Sequence, residues 1–304
     1  MPLGHTHAHA AAGSAATRHW KRLAAALALT LAFMVAEVIG GLYTGSLALL
    51  ADAAHMLTDA GGLALALFAI RFAARPATPQ KTYGYLRAEI LSALANAVVL
   101  LLLSIYILYE AYLRLAVPPE ILSGPMLAVA VAGLLVNLAS MRLLAGGASE
   151  SLNVKGAYYE VLGDMLGSLA VIAAALVVML TGWTLADPII GAGIGLFIIP
   201  RTWNLLKQVT NILLEGTPPE VDVELLERKL MAIEGVTAVH DLHVWTITSG
   251  FDSMSAHVVV RDMNDARRIL RDARAVLAKE FKIDHVTIQI EDEELRAAER
   301  VLSV

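Results

Sequence analysis

His55 and Asp59 stand four residues apart inside an apolar run from Leu47 to Ile70, and Glu160 and Asp164 repeat the spacing inside a second run, Val154 to Leu180. On a helix, residues i and i+4 share a face, with Cβ atoms about 5–6 Å apart. Two such faces turned toward each other set one imidazole and three carboxylates around one point. That donor set suits a divalent transition metal, because zinc takes His nitrogen and carboxylate oxygen at about 2.0–2.2 Å in a tetrahedral shell. A charge at mid-bilayer costs at least about 2.5–3.5 kcal/mol, so these groups must face protein, water or an ion. A single intramembrane acid can equally be a hydrogen-bond partner between helices; two matched pairs favour the ion. The second pair cannot be moved out of its span, since Met165 to Leu180 is only 16 residues and a full crossing must reach back through "AYYEVLGD".

Other polar residues are less sharply defined. Glu37 has no acidic or basic partner one helical turn away and reads as a packing or supporting group. Asp52 lies one turn before His55, where it is expected near the outer mouth of the site, either on the ion path or as a structural acid. The tract "HTHAHA", with His5, His7 and His9, reads as a flexible tail that either captures metal loosely or is simply solvated. With no cysteine in the chain, any metal site uses nitrogen and oxygen ligands.

The elements that must position these groups are membrane helices. The 304 residues are 57% hydrophobic and 17% charged, with mean hydropathy +0.64, a composition too apolar for an ordinary soluble domain. Six apolar blocks are each long enough for a helix to cross about 30 Å of hydrocarbon. They run Leu23 to Tyr43, Leu47 to Ile70, Tyr85 to Leu113, Met126 to Leu144, Val154 to Leu180 and Leu185 to Leu206. The first block is too long for the apolar part of a signal peptide and is expected to stay in the mature chain. Arg18, Lys21, Arg22, Arg71, Arg75, Lys81, Arg87, Arg142, Lys155, Arg201 and Lys207 flank one side of these spans and Arg114 the other. By the bias of Lys and Arg toward the cytoplasm, both termini are expected there, in a multi-pass cell (inner) membrane protein.

From Thr217 onward the balance changes to 11 Lys and Arg against 17 Asp and Glu, whereas the rest holds 12 against 11. The segment "GTPPE" is the linker to a separate acidic domain. Its pattern is helix, strand, strand, helix, strand, and is expected to form a ferredoxin-like α+β layer. It carries no basic stripe, so no nucleic-acid partner is expected. Three domains follow: 1–19, a flexible His-containing cytoplasmic N-terminus; 20–210, a six-helix transmembrane transport domain; and 211–304, a cytoplasmic ferredoxin-like regulatory and dimerisation domain.

The segments "SLALLADAAHMLTD", "YGYLRAEILSALANA", "SLNVKGAYYEVLGDMLGS", "LLEGTP" and "HDLHVWTITSG", in that order, resemble the cation diffusion facilitators, a family of divalent-metal/proton antiporters, and within it the bacterial cadmium-zinc-cobalt resistance branch. The resemblance covers about Trp20 to Glu291. It implies an inverted-V homodimer whose transport site, between the second and fifth helices, uses His55, Asp59, Glu160 and Asp164. Zinc transporters of the family commonly carry His where this chain has Glu160, so the site here is harder and is expected to admit cobalt, nickel or manganese more readily. The resemblance also implies a regulatory metal site in the tail, at His240, His257 and Glu291. His243, three residues beyond His240, faces away from that site if the strand is regular. His285 is a candidate extra ligand.

Metal binding needs neutral His55 and ionised carboxylates, so protons and metal exclude each other. Helices that rock between outward-open and inward-open arrangements would then let inward proton flow drive zinc, cobalt or cadmium out of the cytoplasm, with His55 suited to carry a proton because imidazole titrates near 6.5. No enzyme is expected: catalytic zinc keeps an open position beside a general base, as in HExxH, and that motif does not occur. No organic cofactor is implied. The rival reading is a membrane-bound metal sensor whose intramembrane site is structural.

Overall fold

The computed structural model describes the backbone of residues 15–73, 75–145 and 152–299; among these, the side chains of 15–23, 58–60, 62–70, 73, 152–157 and 299 are outside the description. Six long helices come first: α1 (Ala15–Thr44), α2 (Leu47–Ala73), α3 (Ala88–Ala116), α4 (Ser123–Ala145), α5 (Leu152–Thr181) and α6 (Ala186–Leu213). The tail follows as α7 (Val223–Met231), β1 (Val236–Thr248), β2 (Phe251–Val260), α8 (Ala266–Val276), β3 (His285–Glu291) and α9 (Glu293–Glu299). Among the described residues, α3, α4 and α6 and the segments Ala24–Thr44 of α1 and Tyr158–Thr181 of α5 are long and apolar enough to cross a membrane; in α2 the described apolar segment is Leu47–Leu57. The helices outrun the apolar blocks at several ends, as where α6 continues to Leu213 rather than Leu206. Hydropathy marks what lies in lipid, whereas helix geometry propagates through polar residues of good propensity.

The chain divides into two compact units, Met1–Ala64 with Asn96–Trp203, and Leu65–Ala95 with Asn204–Val304. In the first, the start of α2 is wedged among its neighbours. Ala48 and Leu49 pack with Met126 and Ala130 of α4 and Val171, Ala174 and Ala175 of α5, while Leu47 and Ala51 pack with Ile107 and Ala111 of α3. Small residues set these close approaches, as is usual for helices in lipid. A Cβ on Gly133 of α4 would lie 2.3 Å from the Phe33 ring of α1. Outward, α3 exposes Leu102, Ile105, Tyr109 and Tyr112, a surface fit for lipid.

The turn into α2 is unusually well tied. Gly45, at φ +72°, ends α1, and Ser46 caps α2 by accepting the Leu49 N–H at 3.1 Å. Asp187, from the first turn of α6, supplies the rest. It accepts the Ser46 hydroxyl at 2.5 Å and the Leu47 and Ala48 N–H groups at 2.7 and 3.2 Å. Arg114 of α3 lies 3.9 Å from the same carboxylate and donates to the Gly45 carbonyl at 2.5 Å. A negative charge at a helix N-terminus is also favoured by the helix dipole.

In the second unit the three strands lie in the order β1-β2-β3, with β2 antiparallel to β1 and parallel to β3. Asp222 caps α7 by accepting the Leu225 N–H at 2.9 Å. Leu226 and Leu230 of α7, Ala273 of α8 and Leu277 beyond it pack on Val244, Met254 and Ala256 of the sheet. Helices therefore cover one sheet face. Strand β1 is not regular: its pairing with β2 shifts between His240 and His243, where Asp241 takes φ +50°.

Candidate metal sites

In α2 and α5 the structure places His55 opposite Asp164. Nε2 of His55 lies 3.9 Å from Oδ1 of Asp164, and their side chains are only 13% and 5% exposed. Two ligands of one tetrahedral zinc, each at about 2.0–2.2 Å, sit roughly 3.3–3.6 Å apart, so a small side-chain adjustment brings this pair onto a shared ion. Glu160 lies one turn from Asp164 on α5 and is exposed. Asp59 falls in α2 one turn beyond His55; its side chain is outside the described residues, as is the tract of His5, His7 and His9.

Two further acids sit deep in the same unit. Asp52 is fully buried, because α2 packs tightly on α5 there: a Cβ on Gly167 would fall 2.3 Å from Asp52 Oδ1. Glu37 of α1 is fully buried too, and its carboxylate is near enough to that of Asp52 for the two charges to interact. Two carboxylates bring no donor of their own unless one is protonated. The isolation of Glu37 along its own helix hid this pairing, since its partner is on α2.

In the tail, His240, His257 and Glu291 offer ligand atoms that all lie within 4.8 Å of one another. Strand pairing explains it. His240, His257 and Gln289 face one another across β1, β2 and β3, and Glu291 lies two residues along β3 on the same face. Glu291 is fully buried; its Oε2 is 3.1 Å from His240 Nε2 and its Oε1 2.5 Å from His257 Nδ1. A buried carboxylate held between two imidazoles fits a divalent ion of the zinc type. Strand β1 is irregular at His243: three residues of β1 span two of β2 between the His240↔His257 and His243↔Ser255 pairs, so the bulge returns His243 to the face of His240, yet His243 stays outside the group of His240, His257 and Glu291. His285 lies at the opposite end of β3 from Glu291, beside Tyr83, with 3.5 Å between Nε2 and the phenol oxygen, and Phe251; it does not join the group.

A set of apolar helices that buries a histidine–carboxylate pair between two of them, followed by a small α+β unit with its own histidine–carboxylate cluster, defines a membrane protein built around metal ions. Family models agree: the cation efflux transmembrane domain matches residues 23–214, and the cation efflux protein cytoplasmic domain matches residues 218–293. The chain belongs to the cation efflux family. A metal cation efflux system protein, CzcD, of Cupriavidus metallidurans is 51% identical over 292 residues, covering 96% of this chain and 90% of that protein. The zinc transporter ZitB of Escherichia coli is 42% identical, covering 95% and 93%. A cadmium, cobalt and zinc/H(+)-K(+) antiporter of Bacillus subtilis is 42% identical, covering 86% and 85%. Among solved structures, the metal-bound C-terminal domain of the CzcD transporter of Cupriavidus metallidurans is 42% identical, covers 23% of this chain and 99% of that one, and has a TM-score of 0.22.

Proposed function

We propose that this chain is a divalent transition-metal efflux transporter that exchanges cytoplasmic zinc, and also cobalt and cadmium, for protons by alternating access. The observation that carries the reading is the buried His55–Asp164 pair between α2 and α5. Asp59 and Glu160, one turn away on the same helices, complete a four-ligand site for the transported ion. Because the ligands accept either metal or protons, loading with one expels the other. The protein sits in the inner membrane with both termini cytoplasmic. Its tail, from about residue 211, is a ferredoxin-like domain that dimerises and binds a regulatory metal through His240, His257 and Glu291. Cobalt accumulation in inverted membrane vesicles under an imposed pH gradient tests this: uptake that follows the gradient supports it, and cobalt binding without uptake would assign the chain to metal sensing.

Glu160→His should raise the preference for zinc over manganese about tenfold, because it replaces a hard oxygen ligand by a second imidazole. Uptake of both ions into the same vesicles measures the ratio; an unchanged ratio would mean that Glu160 does not touch the ion.

His257→Ala combined with Glu291→Ala should abolish zinc-dependent approach of the two cytoplasmic domains, read as a distance between spin labels in the full-length dimer. A ligand can close the pair only through tighter binding to the closed arrangement, so loss of ligands removes the bias. Equal closure in wild type and double variant would separate the cluster from regulation.

A further inference from the structure

His257 stands between two carboxylates, one at each ring nitrogen. Glu291 Oε1 is 2.5 Å from Nδ1 and Asp241 Oδ2 is 3.7 Å from Nε2. Such a ring can give only one nitrogen to a metal. The other then carries the proton, and needs an acceptor to hold the tautomer and ring orientation. Glu291 is the buried carboxylate that also reaches His240, so the ion belongs on the Nδ1 side, where three ligand atoms converge. The Nε2–H is left facing Asp241.

The backbone is shaped for this contact. Asp241 is the residue at which β1 bulges, with φ +50°, a conformation that costs glycine nothing and that Asp and Asn tolerate better than most residues. The bulge turns the Asp241 carboxylate toward β2 and brings His243 round to its other oxygen, with His243 Nε2 2.9 Å from Oδ1. Asp241 is thereby held from behind, and both residues stand in solvent, their side chains 42% and 61% exposed, in contrast to buried Glu291. We propose that Asp241, backed by His243, is the positioning residue of the cytoplasmic metal site: it fixes the His257 tautomer that binds metal through Nδ1. This rests on the reading of His240, His257 and Glu291 as a metal site.

The test uses full-length protein in lipid nanodiscs, carrying Asp164→Ala so that the transport site does not compete, with zinc as the probe. Zinc affinity is measured against a chelator, and nitrogen NMR of labelled histidines reports which His257 nitrogen is metallated. Asp241→Gly keeps the left-handed backbone and removes the carboxylate; it should weaken zinc binding about 10- to 100-fold, the usual cost of losing such a partner. Asp241→Asn, which keeps an acceptor oxygen, should recover most of that loss. In the parent, zinc should sit on Nδ1 with the proton on Nε2. Parent-like affinity in Asp241→Gly, or zinc on Nε2, would overturn the proposal. Glu291→Ala separates the two levels: if it abolishes binding while Asp241→Gly does nothing, only the positioning role falls; if it leaves binding intact, the metal site falls and the role of Asp241 with it.

Discussion

Asp164→Ala is expected to reduce metal transport at least about 100-fold while leaving the protein folded. Asp164 is almost fully buried on α5 with His55 across from it, so removing it deletes the proposed ligand in direct reach of the imidazole. Each 1.4 kcal/mol of binding withdrawn with a lost ligand lowers metal affinity about tenfold. The fold bears the change because an apolar side chain relieves the burden of a carboxylate in the bilayer, at least about 2.5 kcal/mol on insertion scales. Uptake rates in reconstituted vesicles, alongside a thermal melt, check both halves. Transport within a few-fold of wild type would remove Asp164 from the ion path. Asp59→Ala should behave in the same way.

Asp187→Ala should instead damage the fold. One carboxylate satisfies two N–H groups and the capping hydroxyl at the start of α2 and faces Arg114, all in a buried setting. Loss of a cap costs about 0.5–2 kcal/mol, and removing the partner of a buried charge about 3–5 kcal/mol. The expected outcome is a large drop in melting temperature or loss of folded protein. Asp187→Asn, which keeps one acceptor oxygen, should fall between. Because α2 carries His55 nine residues after Ser46, any surviving Asp187→Ala protein should also bind metal more weakly. A melt equal to wild type would refute the tie between α6 and α2.

These two residues show what the sequence discloses and what it hides. Asp164 is visible from its i, i+4 partner and from the expense of an acid in a span. Asp187 is not, because an acid in the first turn of α6 already has a local explanation in the dipole of its own helix; its second duty, to Ser46, depends on packing across 141 positions. The burial of Asp52 is hidden for a similar reason. Its position along α2 is clear, but the notch at Gly167 that receives it belongs to α5. The helix and strand order of the tail follows from periodicity, and the lateral row of His240, His257 and Gln289 from strand pairing. His243 escaped that logic, since strict alternation holds only in a regular strand and "VHDLHV" carries neither Gly nor Pro to announce a bulge.

The most direct test of metal-for-proton exchange through the α2–α5 site is simultaneous recording of zinc and pH inside liposomes containing the purified protein. On addition of zinc outside, the account predicts that zinc enters while protons leave, with both signals lost in Asp164→Ala. Zinc entry with no proton movement, or coupled flux of wild-type size in Asp164→Ala, would contradict it.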